Sequence, residues 1–104
     1  MSVILNIGLD FEYKGQHYRN TPERVRKAIK NAKVKILESK VKNSKTEPTL
    51  VAILDRALSK NEAYDLAVEL DQEAIAQLDG NKGDLYGPQA DKWKPFNPDY
   101  FLTL

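Results

Sequence analysis

None of the 104 residues is cysteine, which rules out disulfides, a thiol nucleophile and thiolate metal sites, and fits a reducing, cytoplasmic setting. The single histidine, His17, stands beside a turn signal with no triad partner around it and reads as a titrating surface group rather than a catalytic one. No apolar stretch approaches the roughly 18 residues that a membrane helix needs. The N-terminus also lacks a basic segment followed by an apolar run and a small-residue cleavage site, so neither export nor insertion is expected. Glycine-rich phosphate loops, zinc-ligand spacings and nucleophile elbows are missing too. The expectation is a single small domain that is not an enzyme and takes no cofactor and no metal.

What the chain does have is sorted charge. Residues 14–45 hold 11 Lys/Arg against two acids, Glu23 and Glu38, a local net of +9, while the remainder nets −8 and the whole chain +1. A near-neutral total therefore hides a molecule that is basic on one side and acidic on another. Such polarity points to a binding surface.

Along the chain, Val3, Leu5, Ile7, Leu9, Phe11 and Tyr13 alternate with mostly polar neighbours and predict one long strand. Lys14-Gly15 reads as a tight turn, with Gln16–Arg19 pairing back on the end of that strand. Thr21-Pro22-Glu23 opens a helix through a hydroxyl cap, a proline at the first helical position and an acid at the positive end of the dipole. Its apolar face is Val25, Ala28, Ile29 and Ala32, and its other side is Arg24, Arg26, Lys27, Lys30 and Lys33. Residues 34–41 predict a strand, with a bulge where Ile36 and Leu37 break alternation. Lys35, Lys40 and Lys42 extend the basic region onto it. Residues 49–54 are apolar on both faces and predict a central strand. Ser59-Lys-Asn-Glu62 is a capping box, opening a second amphipathic helix edged with acids. Residues 74–78 predict the last strand of the sheet, with a small hairpin extension through 79–86.

The order strand, helix, strand, strand, helix, strand resembles the ferredoxin-like split βαβ (βαββαβ) arrangement, which implies an α+β domain with a four-stranded antiparallel sheet and two helices on one face. The resemblance covers residues 2–87 and carries no signature motif, so it implies nothing specific about activity. The domain is expected to span residues 1–87. Residues 88–104 form a tail rich in proline and aromatics, in which Trp93, Phe96, Tyr100 and Phe101 are too apolar to stay in water. That tail is expected to dock on the domain's own sheet or on a partner.

Finer signals along the chain also have plainer readings. Asp10 and Glu12 fall on one strand face at a spacing that allows a shared cation, but the solvent side of any amphipathic strand looks the same. Asp79–Asp84 imitates the start of a calcium loop, yet Ala90 stands where the bidentate Glu belongs. Neither Ile4–Leu9 nor Thr49–Leu54 has the base-stacking aromatics of an RRM sheet.

The functional expectation is a cytoplasmic, non-enzymatic binding protein, an adaptor, regulator or inhibitor of the kind a phage or mobile-element accessory gene encodes. It would recognise an acidic protein surface through Arg24, Arg26, Lys27, Lys30, Lys33, Lys35, Lys40 and Lys42, helped by Trp93, Phe96, Tyr100 and Phe101. Two alternatives stand beside it. One is nonspecific nucleic-acid binding by the helix and strand lysines. The other is a small-ligand-binding or enzymatic homodimer closed through the sheet face.

Overall fold

The computed structural model describes residues 3–13, 15–43, 48–94 and 101–104, with backbone alone over 10–13 and 16–19. It is an α+β fold. Strands β1 (Val3–Gly8), β4 (Ile36–Asn43), β5 (Pro48–Leu54), β6 (Ile75–Asp79) and β7 (Lys82–Tyr86) form a five-stranded sheet in the order β4-β5-β1-β6-β7, every neighbouring pair antiparallel. A separate hairpin pairs β2 (Asp10–Tyr13) with β3 (Gln16–Arg19). Helices α1 (Pro22–Asn31) and α2 (Lys60–Glu69) pack on one side, α1 towards β4 and α2 towards β7.

The core lies between helices and sheet. Val3, Leu5 and Ile7 of β1 and Leu50, Ala52 and Leu54 of β5 meet Val25, Ala28 and Ile29 of α1 and Ala63, Leu66 and Ala67 of α2. Buried amides tie the layers where backbone groups would otherwise go unpaired. Gln77 accepts from the Leu58 N–H at 2.9 Å and donates to the Leu58 carbonyl at 3.0 Å, and Asn20 donates to the Leu70 carbonyl at 2.9 Å. Gly87, at φ +152°, lets the chain pass so close to residues 73–74 that a Cβ there would stand 2.5 Å from the Glu73 carbonyl oxygen.

Two expectations are corrected. The sheet has five strands, not four: Lys82–Tyr86, read from sequence as a hairpin extension, pairs along all of β6 from Ile75↔Tyr86 to Asp79↔Lys82 and becomes an edge strand. The first strand is also shorter than its alternation suggests. The Leu9 side chain continues the inward series of Val3, Leu5 and Ile7, but main-sheet pairing ends at Gly8↔Thr49. Leu9 N–H donates to the carbonyl of Pro48, which has no N–H to return, and the chain departs into the hairpin.

Residues on the other sheet face are Ile4, Asn6 and Gly8 of β1 and Thr49, Val51 and Ile53 of β5, with Ala76 and Leu78 of β6 and Leu85 of β7 beside them in register. The end of the chain crosses this face. Phe101 packs on Ala76, Leu85 and Ala90, Leu102 is bonded to Asn6, and the Thr103 carbonyl accepts from Lys42 Nζ.

Candidate functional site

The basic residues gather on the flank made by α1 and β4. Helix α1 begins as its sequence dictates, Thr21 Oγ1 accepting from the Arg24 N–H at 3.1 Å with Pro22 in the first turn. Because Val25, Ala28 and Ile29 are buried, Lys27 and Lys30 are left exposed, with Arg26 half-buried beside them. The helix ends in the left-handed residue Lys33 at φ 61°, and the exposed Lys35 leads into β4.

Strand β4 has a register shift between Ile36 and Glu38, so the expected bulge is present with Leu37 as its extra residue. Beyond it Ser39 and Val41 share the helix side of the sheet, while Glu38, Lys40 and Lys42, opposite Ile53, Val51 and Thr49, lie on the other side. Arg26 Nε donates to Ser39 Oγ at 3.0 Å and ties helix to edge strand. Among the described residues, the side chains of Lys27, Lys30, Lys33, Lys35 and Lys40 have no hydrogen-bond or ion-pair partner.

The acids are spread over α2 and the β6–β7 end. Glu62, Asp65 and Glu69 of α2 lie along the groove between the helices, next to Asn31 and Ala32 of α1, while Asp79 of β6 and Asp84 of β7 lie at the far end of the sheet from β4. The basic residues clustered in the sequence are therefore clustered in space, because α1 and β4 are neighbours in the fold as well as in the chain.

The predicted site residues do not all belong to one surface. Arg24 is exposed but reaches across to α2, donating to Asn20 Oδ1 at 2.8 Å and to the Glu69 carbonyl at 3.1 Å, with Asp71 at 3.6 Å. It holds the C-terminal end of α2, where an arginine also suits the helix dipole. Lys42 is engaged with Thr103. Trp93, 58% exposed, donates from Nε1 to Glu73 Oε2 at 2.8 Å, and Phe101 is packed against the sheet, so these two aromatics make no common anchor. Phe96 and Tyr100 lie outside the described residues, as do the side chains of Asp10, Glu12 and His17.

Two residues that the sequence reading passed over complete the flank: Leu37 is 58% and Val41 45% exposed. The bulge signal at Leu37 and the lysines either side of Val41, typical of an edge strand, were the available hints.

Elsewhere, an open groove of about 240 Å³ between the helices is lined by Asn31, Ala32, Glu62, Asp65, Leu66 and Glu69. The Glu62 carboxyl at its rim is lowered to about 2, chiefly by the Arg56 guanidinium and then by the Ser59 N–H. Arg56 meets it in two bonds, of 2.9 and 2.8 Å, and Glu62 in turn is the reciprocal member of the Ser59 capping box, so this acid holds a helix start. Among the described residues no three His, Asp or Glu side chains gather as a metal site, and no helix is long and apolar enough to cross a membrane. Compared with protein-family models, curated proteins and solved structures, the chain matches none.

Proposed function

We propose that this chain is a small non-enzymatic binding protein that recognises an acidic surface on a protein partner through its α1–β4 flank, acting as an adaptor, regulator or inhibitor. The observation that carries this reading is the exposure of Leu37 and Val41 among the unpartnered Lys35 and Lys40. Phosphates reward lysines but give nothing for aliphatic side chains beside them, whereas a protein surface satisfies both. The strand order β4-β5-β1-β6 further supports a split βαβ arrangement of the ferredoxin-like kind, with β7 added at one edge.

The test is fluorescence anisotropy of the full chain with a labelled acidic peptide and with labelled single-stranded and duplex DNA and RNA, at low and near-physiological salt. The acidic peptide should bind in preference, and the double variant Lys27→Glu/Lys30→Glu should weaken it by about tenfold, both side chains being exposed and outside the core. Unchanged affinity in that variant would remove the basic flank as the site. Tight nucleic-acid binding with a steep salt slope would transfer the same lysines to phosphate recognition.

A further inference from the structure

The structure assigns to the outer edge of β4 a docking role for one kind of ligand: an extended segment of a partner protein, alternating carboxylate and aliphatic residues, that adds a sixth strand to the sheet. This rests on the reading that the α1–β4 flank is the binding surface, and it names what that flank takes.

The backbone comes first. β4 lies at the end of the sheet and pairs only with β5. An edge strand leaves alternate N–H and C=O groups pointing outward. Among the described residues, no backbone hydrogen bond joins residues 37–43 to any segment other than β5. Past the bulge the register is regular from Glu38 to Asn43, long enough to receive a complementary strand. The other edge, β7, has only five residues, and its Asp84 is paired with Lys94 at 3.3 Å.

Side chains then choose the ligand. Directly opposed residues of paired strands share a face, so an incoming strand would present alternate side chains to the two faces of β4. One face offers the exposed Lys40, with Lys42 beside it already donating to the Thr103 carbonyl, and favours carboxylates. The other offers the exposed Val41 next to Ser39 and the Arg26 tethered to it, and favours aliphatic residues with an acid within reach of the guanidinium. Glu38, the one acid on the lysine face, is at the bulged end and leaves the Lys40–Lys42 stretch cationic. A second copy is the poorer complement, because antiparallel pairing about Val41 would set Lys40 against Lys42 and pairing about Lys40 would set Lys40 against itself, whereas an acidic strand opposes neither lysine with a like charge. The edge thus favours its electrostatic complement, and the main chain supplies the hydrogen bonds.

The experiment titrates the full, uniformly ¹⁵N-labelled chain with a capped peptide alternating Glu and Val, with the same peptide N-methylated at alternate backbone positions, and with a Lys/Val counterpart. The Glu/Val peptide should shift the amides of residues 38–43 and slow their hydrogen exchange. N-methylation should weaken it by about tenfold or more, because it removes main-chain donors and leaves charge intact. Lys40→Glu should weaken it by a similar factor, and the Lys/Val peptide should not bind. If the N-methylated peptide binds equally well and the shifts centre on Lys27 and Lys30, strand addition is overturned while the basic flank stands. If no acidic peptide binds even at low salt, both readings fall. Exchange protection of β4 that depends on the chain's own concentration, with no peptide present, would replace the acidic strand by a second copy and overturn the assignment.

Discussion

Asn6 and Leu102 hold each other by reciprocal hydrogen bonds: Asn6 Nδ2 donates to the Leu102 carbonyl and Asn6 Oδ1 accepts from the Leu102 N–H, each at 2.9 Å across 96 positions of sequence. An asparagine in the middle of a sheet here plays the part of a neighbouring strand and pins the chain terminus over the face opposite the helices. Asn6→Ala removes both bonds at a half-buried site, and the expected loss is about 1–2 kcal/mol in chemical denaturation. Leu102 amide exchange should rise towards the unprotected rate in the same variant. A Leu102 amide that stays protected would show that Phe101 packing alone holds the terminus.

Gln77 and Leu58 repeat the device on the helix side, where Gln77 is only 4% exposed. Replacing Gln77 with Leu keeps the bulk but strands a buried N–H and a buried C=O. The expected loss is larger than for Asn6, about 2–4 kcal/mol, because water cannot take over the pairing. Equal losses at the two sites would mean that burial does not set the difference.

The Arg56–Glu62 pair makes part of the stability acid-sensitive. Glu62 titrates at about 2 in the folded chain, below its ordinary 4.5, so its contribution is complete above the ordinary value and disappears as pH falls from there through 2. Denaturant midpoints of the native chain and of Glu62→Gln, measured from pH 7 downwards, should differ at neutral pH and converge over that window. A constant gap would mean that the carboxylate charge contributes nothing to the capping box.

Both helices are followed by a left-handed residue that is not glycine, Lys33 at φ 61° and Asp71 at φ 55°. A side chain there is strained, and glycine is the usual occupant of that position after a helix. Lys33→Gly should raise stability by about 0.5–1 kcal/mol, whereas Lys33→Ala should not. Asp71→Gly should gain less, because it also gives up the exposed ion pair with Arg24. Thermal melts of the three variants decide it, and a stabilised Lys33→Ala would refute the backbone explanation.

Local signals carried most of the elements. Thr21 and Ser59 name the two helix starts, the break at Ile36–Leu37 names the bulge, and the apolar run at 49–54 names a strand flanked on both sides, β5. Each is written within a few consecutive residues, where periodicity and capping act. The charge division was legible for the same reason, since α1 and β4 are consecutive and stay adjacent.

What the sequence by itself determined, then, is the order of the elements, their amphipathic faces and the basic character of the α1–β4 flank. Tertiary structure alone decided that Lys82–Tyr86 joins the sheet as a fifth strand, that Arg24 and Lys42 are engaged internally while Lys27 and Lys30 stay open, and that Leu37 and Val41 remain exposed. It also decided that Phe101 and Leu102 lie across the sheet. These outcomes depend on which distant segments meet. A strand's pattern states that it needs a partner and a covered face, but not which segment provides them, and for Asn6 that segment lies at the far end of the chain.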